Sequence, residues 1–321
     1  MTTTDVAGLS ADVVICTYTA DRWNLLVASV RSALAQTRAP EQLIICVDHN
    51  PALYERCQAE WRELANVTVV QNKFAGRLGS ARNTALLQCR ADIVAFLDDD
   101  AAAAPDWLER LLAVYADPRA VAVGGAPRAN YGAPRPDWFP ADYDWVFGCH
   151  YRALPDRLAP VRHLIGANMS VRREAILAEG GFHADDHDDM DLSHRIAHTH
   201  GAAAVLYEPR AEVHHYVAPQ RLTWQYFWRR CFYVNRSKVG AFADLGAAGN
   251  LGAELRFGFG VLLALVPALF SALTGRTGPL MRAVVAVIGL ALAASGHLVG
   301  RAELALGRHR PVLTTGLPRD A

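Results

Sequence analysis

Four short apolar runs set the tightest limit on what this chain can fold into. They are Val13-Val14-Ile15-Cys16, Leu43-Ile44-Ile45-Cys46-Val47, Val67-Thr68-Val69-Val70 and Ile93-Val94-Ala95-Phe96-Leu97, and helical patterns separate them. A strand that is apolar at nearly every position must be covered on both faces, and parallel pairing needs long crossovers between strands. Residues 12–125 are therefore expected to form an α/β unit with a mainly parallel sheet flanked by helices. Its helices are expected on the face of Leu25, Val30 and Leu34, around 52–64 and around 79–90. Sheets of this kind take ligands beyond the carboxyl ends of their strands, so the residues that follow each run are the candidates for function.

Residues 126–162 break the pattern, interleaving six prolines with Tyr131, Trp138, Phe139, Tyr143, Trp145, Phe147 and Tyr151. This reads as a long loop region, either an acceptor-facing surface or a packing insert. Regular structure is expected again at 165–171, in a helix near 173–179, and in strands at 203–207 and 211–216. Two stretches then follow, 257–275 without a charge and 283–300 broken only by His297. As helices each would reach roughly 27–28 Å, close to the hydrocarbon thickness of about 30 Å. They predict a C-terminal hydrophobic helical hairpin at a membrane, with buried or surface helices as the alternative. Pro267, Arg276 and Arg282 argue against spanning, while Lys238, Arg256, Arg301, Arg308 and Arg310 would lie on the cytoplasmic side. The expected division is 1–250 for the catalytic domain and 251–321 for a membrane-associated region.

Charge and cysteine usage narrow the classes further. The 32 basic and 32 acidic side chains cancel, which removes the basic footprint of a nucleic-acid binder. The six cysteines form no C-x-x-C pair, which fits neither a zinc site nor a disulfide framework and suits a reducing compartment. The first apolar run is too brief for a signal peptide, so the main body is expected to remain in the cytoplasm.

The densest chemistry is Asp98-Asp99-Asp100 at the end of the fourth run. Crowded carboxylates raise one another's pKa unless a cation neutralises them, and hard oxygen ligands suit Mg²⁺ or Mn²⁺. Alternation in an extended turn would aim Asp98 and Asp100 at a metal–diphosphate and Asp99 elsewhere, toward a sugar hydroxyl. The plain alternative is an acidic turn capping the helix that begins near Trp107.

In order, the chain carries Val14-Ile15-Cys16-Thr17-Tyr18, Val47-Asp48, Gly79-Ser80-Ala81-Arg82-Asn83 and Phe96-Leu97-Asp98-Asp99-Asp100. Gly166-Ala167-Asn168-Met169-Ser170, Gly180-Gly181-Phe182 and Asp188-Asp189-Met190-Asp191-Leu192-Ser193-His194-Arg195 follow. Over residues 11–240 this resembles the family 2 glycosyltransferases of the GT-A fold. The resemblance implies that Thr17, Tyr18 and Asp48 hold the nucleotide base, Asp48 accepting from an imide N–H. His49-Asn50-Pro51 depart from the family's commoner Asp-x-x-Ser. Arg82 is expected to favour the anionic diphosphate, at the start of a helix.

By the same resemblance Asp189 is the base that removes the acceptor's proton and Asp188 positions it, where the family commonly has Glu. Asp185, Asp186 and Asp191 lie close enough to exchange places in a register shifted by a few residues. His214, favoured over His215, would complete the metal shell, and Trp228-Arg229-Arg230 would close over the leaving group. An amphipathic helix whose arginines meet anionic lipid is the other reading of Arg229 and Arg230.

The resemblance thus implies an inverting, metal-dependent hexosyltransferase at the cytoplasmic membrane face. It would use a nucleotide-diphospho-sugar donor, a glycan or lipid-linked acceptor, Mg²⁺ or Mn²⁺ and membrane lipid, with no nucleic acid. A nucleotidyltransferase acting on a sugar phosphate, needing no base at Asp189, and an inactive partner of a polysaccharide assembly complex are the rivals.

Overall fold

The computed structural model describes residues 8–75, 77–183, 187–241, 252–308 and 317. It divides into two compact units. The first takes residues 1–128, 155–215 and 312–321, and the second takes 129–154 and 216–311. The expected boundary at 250 lies outside the described residues, and the aromatic, Pro-rich segment groups with the C-terminal helices.

In the first unit the four apolar runs are strands β1 (Ala11–Thr17), β2 (Gln42–Val47), β3 (Val67–Gln71) and β4 (Ile93–Asp98). β1 pairs in parallel with both β2 and β4, and β2 with β3, as the crossovers require. The crossovers are α1 (Trp23–Leu34), α2 (Pro51–Trp61) and α3 (Leu78–Leu86). β4 turns directly into a short strand, β5 (Ala101–Ala103), and α4 (Trp107–Val114) follows.

The sheet then becomes mixed. It continues through β6 (Ala122–Tyr131), β7 (Ala159–Pro160), β8 (Asn168–Arg172) and β9 (Val205–Val217), with α5 (Arg173–Ala178) and α6 (Asp188–His200) between β8 and β9. The strand order is β3-β2-β1-β4-β8-β6-β9-β5, with β7 on β9. The β8 pairings to β4 and β6 and the β5 pairing to β9 are antiparallel.

Strand alternation sorts the core into two layers. Val13, Ile15, Leu43, Ile45, Ile93, Ala95 and Leu97 face α1, α2 and α4, where Leu26, Val30, Leu53 and Trp107 meet them. Val14, Ile44, Cys46, Val94 and Phe96 face the other way, onto Ala81 and Ala85 of α3 and Leu192 and Ile196 of α6. A run apolar on both sides is therefore what a sheet between two helical layers demands. α3 is enclosed, with every residue from Gly79 to Leu86 buried. Asn168, from the Gly-Ala-Asn-Met-Ser motif, braces the first layer: its Oδ1 accepts from Trp107 Nε1 at 2.7 Å and its Nδ2 donates to the Ala211 carbonyl at 2.8 Å.

The second unit has its own core. Residues Ala141–Phe147 form a 3₁₀ segment, and Phe139, Tyr143 and Phe147 are buried against Phe227 of α7 (Trp224–Ala241). The Pro-rich segment is thus packing material. α8 (Gly252–Leu263), α9 (Leu265–Leu273) and α10 (Thr277–Ala305) follow. The first of the two expected hairpin helices is broken at Ala264, because Pro267 has no N–H to donate to the carbonyl four residues earlier. α10, of 29 residues, is long and apolar enough to cross a membrane, and one third of its most apolar window is buried.

Candidate active site

The candidate residues from β1 to β4 gather at the carboxyl ends of those strands, and all of the site described here lies in the first unit. Asp98 closes β4, and its carbonyl accepts from Ser29 Oγ at 3.0 Å, fixing the start of the acidic turn. β5 then aligns Ala101 with His215 and Ala102 with His214. This register gives His214 to solvent and buries His215, whose Nε2 lies 3.1 Å from Asp100 Oδ1. Ligand atoms of Asp98, Asp100 and His215 lie within 4.8 Å of one another. The histidine beside the acidic pair is therefore His215, and the preference for His214 is corrected. Two carboxylates and an imidazole form a donor set that suits Mn²⁺ or Mg²⁺.

Arg22, which carried no signal in the sequence, reaches into the same turn. Its Nη1 lies 2.6 Å from Asp100 Oδ2 and 3.1 Å from Asp99 Oδ1, and its guanidinium lies 5.0 Å from the centre of the Tyr18 ring. Asp99 Oδ2 accepts from Thr17 Oγ1 at 2.7 Å. The Thr17 hydroxyl, expected at the nucleotide, is thus buried on a carboxylate, and what β1 offers at the surface is the exposed Tyr18 ring. Burial, with Asp100 alongside, raises Asp99 to about 6 despite Arg22 and the Thr17 hydroxyl. Burial also raises Asp98 above the usual carboxylate range; Arg82 opposes the shift and Asp100 adds to it.

The ends of β1, β2 and β3 are hydrogen-bonded in sequence. The Asp48 amide donates to the Thr17 carbonyl at 2.8 Å, and the Asn72 amide donates to the Val47 carbonyl at 2.9 Å. Asp48 Oδ1 accepts from Asn72 Nδ2 at 2.6 Å and contacts His49 Nδ1 at 2.6 Å. Asn72 cannot turn its amide over, because its Oδ1 accepts from Thr84 Oγ1 at 2.7 Å and from the Phe74 amide at 3.1 Å. No hydrogen bond to Asp48 Oδ2 is found among the described residues. His49 holds a left-handed φ of 46°, and Asn50 caps α2, its Oδ1 accepting from the Leu53 amide at 3.1 Å.

Arg82 differs most from expectation. It sits inside α3 rather than at its start and is only 2% exposed. Its Nη1 donates to Asp188 Oδ2 at 2.8 Å, its Nη2 donates to the Gly166 carbonyl at 2.9 Å, and Asp98 Oδ1 is 3.5 Å away. Burial alone would lower its pKa, but Asp188, Asp98 and Asp189 outweigh that and raise it. Asp188 is buried on Arg82. Asp189, half-buried at the start of α6, accepts from the Gly166 amide at 2.8 Å through Oδ2 and from the Met190 amide at 2.7 Å through Oδ1. Gly166 has no room for a side chain, since a Cβ there would come 2.8 Å from Arg82 Nη2 and 3.1 Å from Asp189 Oδ2.

Asp191 accepts from Arg195 Nε at 2.9 Å and lies 2.9 Å from His183 Nδ1. Asp185 and Asp186 lie outside the described residues. Arg229 and Arg230 lie on α7 in the second unit, where Arg230 Nε donates to the Val146 carbonyl at 3.2 Å and Arg229 lies 6.0 Å from the Tyr233 ring centre.

Comparison with known proteins places these motifs. A family model described as glycosyl transferase family 2 matches residues 12–178. The glucosyl-dolichyl phosphate glucuronosyltransferase of Haloferax volcanii is 32% identical over 72% of this chain and 76% of its own length. The succinoglycan biosynthesis protein ExoM of Rhizobium meliloti is 28% identical over 70% of this chain and 72% of its own. The fold is shared with the mannosyltransferase PcManGT of Pyrobaculum calidifontis, solved with GDP-Man and Mn²⁺, at TM-score 0.53 and 20% identity over 86% of each chain. GalNAc-T7 with UDP, GalNAc and Mn²⁺ also shares it, at TM-score 0.53 and 16% identity over 78% of this chain, which spans about half of that longer protein (53%). The matched family and its curated relatives, carried on a GT-A-like sheet, place this chain in glycosyl transferase family 2.

Proposed function

We propose that the chain transfers a sugar, with inversion, from a nucleotide diphosphate to a hydroxyl on a lipid-linked or cell-envelope glycan, at the cytoplasmic face of a membrane. The observation that carries this reading is the convergence of Asp98, Asp100 and His215 beside Arg82, with Asp189 presented on the Gly166 amide in the same unit. Asp98, Asp100 and His215 are the residues that would hold a divalent cation. The cation's contribution is to neutralise charge as the diphosphate departs.

The chain's own residues do the rest. Asp48, with Oδ1 fixed by Asn72 and Oδ2 unpartnered among the described residues, accepts from an N–H of the base, and the Tyr18 ring offers it a flat apolar surface. The Gly166 amide and Arg82 hold the Asp189 region in place, and Asp189 removes the proton of the attacking hydroxyl. Asp99, bonded to Thr17 and Arg22, fixes the acidic turn. The Haloferax volcanii relative, named for a glucosyl-dolichyl phosphate, supports a lipid-linked acceptor, and the apolar C-terminal helix supports a membrane location. The six free cysteines are consistent with the cytoplasmic side.

Inversion is tested by the anomeric configuration of the product in NMR, with retention contradicting it. The base is tested by Asp189→Asn, expected to lower transfer by on the order of 10²-fold while donor binding persists. Loss of donor affinity instead would move Asp189 into the nucleotide site.

A further inference from the structure

We infer that the C-terminal helices lie in the plane of the lipid headgroups and that α10 does not cross the bilayer. The inference rests on the proposed membrane association and specifies its geometry. It is argued within the second unit alone.

For α10 to span, residues 283–300 between Arg282 and Arg301 would have to fill the hydrocarbon, with their midpoint between Gly289 and Gly296. Those two glycines are where α7 packs. A Cβ on Gly289 would come 2.8 Å from Cζ of Phe227, and one on Gly296 would come 3.0 Å from the carbonyl carbon of Phe232. Arg229 and Arg230 lie on α7 between Phe227 and Phe232, and both are exposed. A spanning α10 would therefore carry two exposed arginines to the middle of the bilayer. Charges at that depth are rare unless they face a protein interior or a water-filled cavity.

The apolar surface that remains needs a cover all the same. Leu262, Leu263, Val266, Leu269, Phe270 and Leu273 are 49–83% exposed, at helical neighbour spacing across α8 and α9. A contiguous run of large apolar side chains left this exposed marks an interaction surface. The only charges in 257–300 are Arg276 and Arg282, both exposed and both positive. An apolar ridge edged by arginines and free of acidic groups complements an anionic lipid surface. The segment is also interrupted at Ala264, which suits a helix pair lying along the interface.

The test uses the full chain in sealed membrane vesicles. Thr277→Cys before the apolar core of α10 and Leu306→Cys after it are each treated with a membrane-impermeant maleimide, before and after detergent. The parent chain, whose cysteines are buried or half-buried, sets the background. The expected result is that both sites behave alike, reacting from the same side. One site reacting only after detergent means that α10 crosses, and this overturns the inference while leaving membrane association intact.

A chain found in the soluble fraction as a concentration-dependent dimer overturns both. On vesicles of phosphatidylcholine with phosphatidylglycerol, Arg276→Ala and Arg282→Ala should each weaken binding about fivefold, with no such change on phosphatidylcholine alone. Equal loss on both lipids would overturn the role given to charge.

Discussion

Replacing Arg82 with leucine should destabilise the first unit severely, by an amount the surroundings of Arg82 set. The side chain is 2% exposed and compensates Asp188 at 2.8 Å and Asp98 at 3.5 Å while donating to the Gly166 carbonyl. Removing one partner of a buried pair leaves the other charge uncompensated and costs about 3–5 kcal/mol. For a unit of this size that corresponds to about 6–20 °C in Tm.

The loss should depend on pH in a defined direction. Asp98 is already raised by burial, with Asp100 adding to it and Arg82 opposing it. Without Arg82 its folded pKa climbs further above the unfolded value of about 3.9. A carboxyl raised in this way loses stability as pH rises from its unfolded value toward its folded pKa and no further above it, so the gap from wild type should be smaller near about pH 4 than at neutral pH. Thermal unfolding of Arg82→Leu, Asp188→Leu and the double variant forms a cycle with an expected coupling of about 1–3 kcal/mol, the double variant recovering part of the loss. A single loss below about 1 kcal/mol, or strict additivity, would refute the reading of Arg82 as the compensating charge of the site.

Gly166→Ala should disturb the same cluster from the other side, because its Cβ meets Arg82 Nη2 and Asp189 Oδ2; transfer should fall more than tenfold with donor binding retained, and unchanged turnover would count against Asp189 as base. Asn72→Ala should loosen Asp48 and weaken donor binding by about 0.5–1.5 kcal/mol, the net worth of a hydrogen bond, as read by calorimetry; unaltered affinity would remove Asp48 from base recognition. His215→Ala should weaken Mn²⁺ binding by on the order of tenfold, whereas His214→Ala should not; equal effects would contradict the strand register. Because burial raises Asp99 to about 6, uptake of its proton should weaken its pairing with Arg22 and loosen the acidic turn, so apparent Mn²⁺ affinity should fall more steeply from pH 7 to pH 5 in the parent chain than in Asp99→Asn, and equal slopes would exclude the linkage.

Much of the first unit could be read from residue patterns because its strands are buried on both faces. Val13 to Cys16 and Ile93 to Leu97 have no other stable placement, and the observed strands extend the predicted runs by no more than two residues at either end. β5 was not foreseen: Ala101–Ala103 has little strand propensity and pairs only because β9 presents a ladder beside it. The same ladder decides between His214 and His215, since adjacent strand residues face opposite ways and nothing local fixes which faces in.

Asn72 follows β3 as Asp48 follows β2, so its position was visible, but a neutral amide draws no attention among charged neighbours. Arg82 is conspicuous as a cation, yet its burial follows from how α3 meets α6, which helical periodicity does not report. In the tail, apolar length alone suggested two matched helices, and Pro267 split the first.

Nucleotide-sugar transfer can be followed by incubating the full chain with UDP-, GDP- and TDP-sugars, Mn²⁺ and a lipid-phosphate-linked glycan acceptor and measuring the released nucleotide. One donor should release its nucleoside diphosphate in an acceptor-dependent manner, a chelator should suppress the release, and Asp100→Ala should abolish it. Release of a nucleoside monophosphate instead, which marks attack at phosphorus, or undiminished turnover in the chelator, would contradict transfer at the anomeric carbon.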